Sequence, residues 1–152
     1  MRSGSPRIAA IAVIVACFGL IDSGYLTMKH LEGSFIRCGD ECSAVLGSRY
    51  AEGIAGVPLA GFGAAAYVAV IIAAGSAAFG SLLGRRIFGV VAIGMALFSV
   101  WLIYLQAFVI HSFCKYCLAS AGCCFTLAGL AIFDRFYMGR KAEITVARSA
   151  DV

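Results

Sequence analysis

His111-Ser-Phe-Cys114-Lys-Tyr-Cys117-Leu-Ala-Ser-Ala-Gly-Cys-Cys124 sets a Cys-x-x-Cys pair at the mouth of an apolar run that continues to about Tyr137. A run of about 20 apolar residues crosses a bilayer as a helix, because every backbone polar group is then satisfied within the segment. A pair at this spacing closes into an easily reduced disulfide or holds a metal. A helix starting there stabilises a thiolate through its unpaired N–H groups and dipole. The pair therefore reads as an electron-exchange site at a membrane surface.

Composition carries the membrane part of this reading. Of 152 residues, 62% are hydrophobic and 13% charged, against about 45–50% and about 25% in an ordinary soluble domain. A lipid bilayer is the expected solvent. Four spans leave little chain for a separate soluble module, so residues 1–152 read as a single membrane domain. The net charge of +4 does not imply nucleic acid, since basic residues at helix ends are what membrane topology requires.

Outward from the pair, the chain divides into an all-α integral membrane bundle of four transmembrane helices. The first span runs over about 8–28, after Arg2 and Arg7; it is too long for a signal-peptide core and lacks a clear cleavage site. Asp22 lies in its last turns, where a structural hydrogen bond and a pocket role are both open. Residues 29–56 form an outer loop holding Glu32, Arg37, Asp40, Glu41, Arg49 and Glu52, with a short helix expected around Cys42 to Tyr50. Cys38 and Cys42 lie in this loop. Four residues of extended chain span at most about 14 Å and a disulfide needs Cα atoms about 5.5–6 Å apart, so a bend at Gly39 lets them bond internally or swap partners.

Pro58 opens the second span, about 57–79, in a position where its missing N–H is harmless. Gly61, Gly63 and Ala64 to Ala66 give this helix a small side for close packing. Ser81 to Arg86 reads as a tight connection, followed by an aromatic-rich third span over about 87–110 and the fourth over about 117–137. Cys17, Cys123 and Cys124 fall inside spans and are expected to pack as small apolar residues.

Orientation follows from the 12 Lys and Arg residues. Arg2, Arg7, Arg85, Arg86, Arg135, Arg140, Lys141 and Arg148 share one side; Lys29, Arg37, Arg49 and Lys115 share the other. The imbalance predicts both termini in the cytoplasm of a cell whose inner (cytoplasmic) membrane holds the protein. Both cysteine pairs then face the extracytoplasmic side, where disulfides persist.

The string Cys42-Ser-Ala-Val-Leu-Gly-Ser48-Arg-Tyr50-Ala, then Gly56-Val-Pro58, Gly63 and Tyr67, and far downstream Phe113-Cys114-Lys-Tyr-Cys117-Leu, resembles the bacterial branch of the vitamin K epoxide reductase family. That resemblance implies a membrane thiol:quinone oxidoreductase built as a four-helix bundle around ubiquinone or menaquinone. It implies that Cys38 and Cys42 accept electrons from an extracytoplasmic thioredoxin-fold thiol oxidase and pass them to Cys114 and Cys117. Cys42 and Cys114 would share a transient mixed disulfide, leaving Cys117 beside the quinone, with Ser48 and Arg49 in a loop segment that caps the pocket. Phe62, Phe108, His111, Phe113 and Tyr116 are expected around the ring, because a quinone pocket is largely apolar with one or two polar contacts. Leu59 and Ala121 stand where the vertebrate enzyme has asparagine and tyrosine, so protein-thiol oxidation is expected rather than epoxide reduction.

Elementary redox chemistry agrees with those roles. A periplasmic oxidant near −120 mV stays oxidised only against a stronger acceptor, and a membrane quinone is the natural one. Two other classes of function use the same residues. Paired thiolates pass a soft metal in mercuric-type transporters, and two pairs can hold one zinc ion. A transporter needs thiols along the path and at the cytoplasmic exit; only Cys17, Cys123 and Cys124 lie within spans, and the cytoplasmic segments have none. A purely structural disulfide protein would show cysteine oxidation insensitive to quinone.

Overall fold

The computed structural model describes residues 6–32, 44–45, 47–48 and 58–150. Four helices carry them: α1 (Pro6–Leu31), α2 (Leu59–Ala78), α3 (Leu82–Leu105) and α4 (Lys115–Ala150). A π-helical turn, Gln106–Ile110, extends α3. There is no strand among the described residues. Four segments are long and apolar enough to cross a membrane: Arg7–Leu31, Leu59–Ala78, Leu82–Ile110 and Lys115–Tyr137. The all-α, four-span expectation holds. Cys38 and Cys42, and most of the short helix expected around them, lie outside the described residues.

Each helix packs against two others, α1 on α2 and α4, α2 on α3, and α3 on α4, which closes a four-membered ring. The centre is built from small side chains, with Ala12, Ala16, Ala73, Ala74, Ala92 and Ala131 surrounding Tyr67, Val70 and Leu127. Lipid gives helices no hydrophobic reason to associate, so close backbone approach has to supply the contact. Gly19 shows how tight this is: a Cβ there would collide with the Tyr67 ring. Large apolar residues such as Phe18, Ile72, Phe79, Val90 and Leu97 point outward, where acyl chains solvate them.

The third helix starts earlier than the apolar pattern suggests. Ser81 caps it, its Oγ accepting from the Gly84 N–H at 3.1 Å, so Arg85 and Arg86 fall in the first turns of α3 rather than in a connection. Arg85 is held there by Asp134 of α4, with Nη2 and Nε donating to Oδ2 at 2.7 and 3.0 Å. The two side chains are 15% and 14% exposed. Arg85→Leu leaves Asp134 without its counter-charge and is expected to lower unfolding stability in detergent by about 2–3 kcal/mol, below the range for a fully sealed pair. Substituting both residues with leucine is expected to recover most of that loss, as read from thermal unfolding midpoints.

Candidate active site

The chain leaves the π-helical turn through His111, in the left-handed region at φ 54, and doubles back onto it. The Gln106 carbonyl accepts the N–H of His111 and that of Ser112 at 3.1 Å. The Gln106 side chain takes the next step, its Oε1 accepting the Cys114 N–H at 3.0 Å. Cys114 thus stands at the N-cap of α4, its carbonyl accepting the Leu118 N–H at 3.0 Å. N-cap side chains accept the orphan N–H groups of the first helical turn, and here a sulfur does so.

Cys114 and Cys117 are free thiols, and Cys114 is fully buried. The Cys117 S–H donates to the Cys114 sulfur and is the main influence drawing the Cys114 thiol down to about 7. Burial opposes this, the backbone N–H groups of Cys117 and Tyr116 add to it, and the Asp22 carboxylate opposes it through its charge. Asp22 Oδ2 is itself sealed, with no hydrogen-bond partner among the described residues. Because the folded pKa lies below the ordinary thiol value of about 8.5, the nucleophilic thiolate persists to lower pH than in a free cysteine. It is lost as pH falls through about 7. Cys117→Ala removes the donor and is expected to raise the midpoint of Cys114 reactivity by about a unit or more, whereas Cys117→Ser keeps an O–H donor and a low midpoint. The pH profile of methyl methanethiosulfonate labelling at Cys114 measures this.

Beneath the pair lies a cavity of about 500 Å³. Its walls come from α2, α3 and α4, with Phe62, Met95, Phe98, Leu102 and Ile103 among the apolar residues and Cys117 on the wall. Ser23 and His30 of α1, with Val45, Ser48 and Pro58, also line it. Ser48 Oγ donates to the Val45 carbonyl at 2.7 Å, and Val45 packs against Cys114. Elsewhere on the wall Tyr67, Ser120 and Cys124 form a polar group: Tyr67 Oη donates to the Ser120 carbonyl at 2.9 Å and meets the Ser120 hydroxyl at 2.9 Å and the Cys124 sulfur at 3.2 Å. A largely apolar chamber with a few polar points suits a flat ring carrying carbonyl oxygens.

The expected site residues divide. Cys117, Phe62 and Ser48 line the cavity; Cys114, Phe108, His111, Phe113 and Tyr116 do not. Tyr116 packs instead with Tyr25 of α1, ring centroids 5.7 Å apart, and beside Cys114 and Val45. Phe108 packs against Tyr104 with the rings tilted and their centroids 5.0 Å apart, and both are turned outward, as is Phe113. The π-helical turn and the left-handed His111 rotate this stretch away from the interior. Leu59 and Ala121 do line the cavity. Gln106, Tyr67 and Ser120, polar groups on its wall, were not singled out as ligand contacts from the sequence; an amide inside an apolar span was the available signal for the first. Cys124 is buried in the core, as expected of a packing residue, and also reaches the cavity. Among the described residues no cluster of three His, Cys, Asp or Glu side chains could hold a metal ion.

A thiol pair at the end of a membrane helix, with one sulfur on the wall of an apolar chamber inside the bundle, defines a class: membrane-embedded thiol–disulfide oxidoreductases. The chain belongs to the Vitamin K epoxide reductase family, whose pattern it matches over residues 10–132. It is accordingly a multi-pass membrane oxidoreductase of a family that uses quinone-type substrates. Comparison with curated proteins gives no match.

Proposed function

We propose that this protein reoxidises an extracytoplasmic thioredoxin-fold thiol oxidase and passes the electrons to ubiquinone or menaquinone in the inner (cytoplasmic) membrane. Both termini are then cytoplasmic and both cysteine pairs extracytoplasmic. Cys42 takes the partner's electrons together with Cys38, and Cys114 receives them through a mixed disulfide with Cys42. The Cys114 and Cys117 thiols then give up two electrons and two protons as their S–S bond forms. The quinone takes up the same two electrons and two protons and leaves as the hydroquinone.

The observation that carries this reading is the division of labour within the pair. Cys117 lines the cavity, while Cys114 is sealed and packs against Val45, three residues along the chain from Cys42. One sulfur is thus presented to the chamber and the other to the outer loop. The test is reduction of a short-chain quinone by the purified protein in detergent with dithiothreitol as donor. Catalytic turnover is expected; its absence, together with cysteine-dependent mercuric-ion uptake in cells, would favour the transporter class instead.

A further inference from the structure

Gln106 is 3% exposed and sits at the first position of the π-helical turn, a distortion that recurs at functional sites. Its backbone carbonyl and side-chain Oε1 together receive the N–H groups of His111, Ser112 and Cys114. It therefore shapes the whole turn that delivers the thiol pair. The orientation of its amide follows from chemistry: a backbone N–H can only donate, so the oxygen faces Cys114 and the Nε2 end faces away. Nε2 has no hydrogen-bond partner among the described residues. The only side-chain N or O atom there that is both sealed and unpartnered is Asp22 Oδ2, so Nε2 meets open space, and the space Gln106 lines is the cavity shared with Cys117.

We propose that Gln106 couples the acceptor site to the thiol pair, its Oε1 fixing Cys114 at the start of α4 and its Nε2 donating a hydrogen bond to a carbonyl oxygen of a quinone beside Cys117. This rests on the reading of the cavity as the quinone site. The same donor acts more strongly on the oxygen as negative charge develops there during reduction, so Gln106 serves the chemical step as well as binding. Of the other polar groups on the wall, the Ser48, Tyr67 and Ser99 hydroxyls already donate to backbone carbonyls.

The test compares duroquinone with durene, the same ring and methyl groups without the carbonyls, binding to oxidised wild-type protein and to Gln106→Leu in detergent. Comparing each ligand across the two proteins cancels partitioning into the micelle. Gln106→Leu is expected to weaken duroquinone about tenfold, the worth of one hydrogen bond, and to leave durene unchanged. Its kcat for duroquinone is expected to fall along with the rise in KM. Equal weakening of both ligands, or of neither, overturns the role of Gln106 while leaving the cavity reading intact; failure of either ligand to bind the wild-type protein overturns the cavity reading itself. Should Gln106→Leu not fold, the carbonyl stretch of duroquinone bound to the wild-type protein decides. A frequency below that in alkane solution supports the hydrogen bond, and an unshifted one overturns it.

Discussion

Cys117→Ser is expected to abolish quinone reduction, lowering turnover by a factor on the order of 10³ or more with every thiol donor, as loss of an obligatory reacting group does. The side chain is at the cavity wall, and without its sulfur Cys114 has no partner with which to form the disulfide that releases two electrons. Serine still offers an O–H to the Cys114 sulfur, so the fold and the low thiol pKa should survive, and the loss is chemical rather than structural. A second sign should accompany it. Cys114 can still attack an oxidised Cys38–Cys42 disulfide, releasing the Cys38 thiol, but no Cys117 thiol is there to carry the bond inward, so the Cys42–Cys114 bridge is expected to be found in the oxidised variant by peptide mapping under non-reducing conditions. Residual turnover above about a tenth of wild type would remove Cys117 from the acceptor step.

In the proposed relay, Cys42→Ser should separate a folded protein donor from a small dithiol. Turnover with the thioredoxin-fold partner is expected to fall by a factor on the order of 10² or more, because exchange with a folded protein needs a sulfur able to meet it outside the membrane. Turnover with dithiothreitol is expected to stay within about threefold, since a small dithiol can reduce the inner pair directly. The physical basis is burial: Cys114 has no exposed surface, so a folded partner cannot reach it without the loop. Equal loss with both donors would mean that Cys42 supports the fold or the inner pair and shuttles nothing.

Much of the architecture was legible because lipid imposes a simple rule. Each crossing needs an uninterrupted apolar run, and four such runs separated by charged residues are visible in the sequence. What stayed hidden depended on distant partners. Arg85 reads as a loop residue until Asp134, 49 positions along the chain, is seen to hold it in α3. The candidate site was legible where the chemistry is local, in the two cysteines of one helical turn, and much less so where geometry intervenes. Phe108, His111 and Phe113 neighbour the thiols in sequence, but a π-helical turn and a left-handed residue turn them outward, and hydrophobic periodicity carries no mark of either. Tyr67, part of a familiar motif, turned out to meet Ser120 and Cys124 across the bundle. Their joint position on the cavity wall follows from helix packing alone.

The central claim is that electrons leave the Cys114–Cys117 pair for a quinone in the cavity beneath it. A single-turnover experiment tests this most directly: fully reduced Cys38→Ser/Cys42→Ser protein, in which no loop thiol can re-reduce the inner pair, is mixed in detergent without oxygen with stoichiometric duroquinone, quenched with acid and mapped for cysteine bridges. Hydroquinone formation with an equal yield of the Cys114–Cys117 disulfide is the expected result. Hydroquinone formation that leaves both thiols reduced would contradict the account.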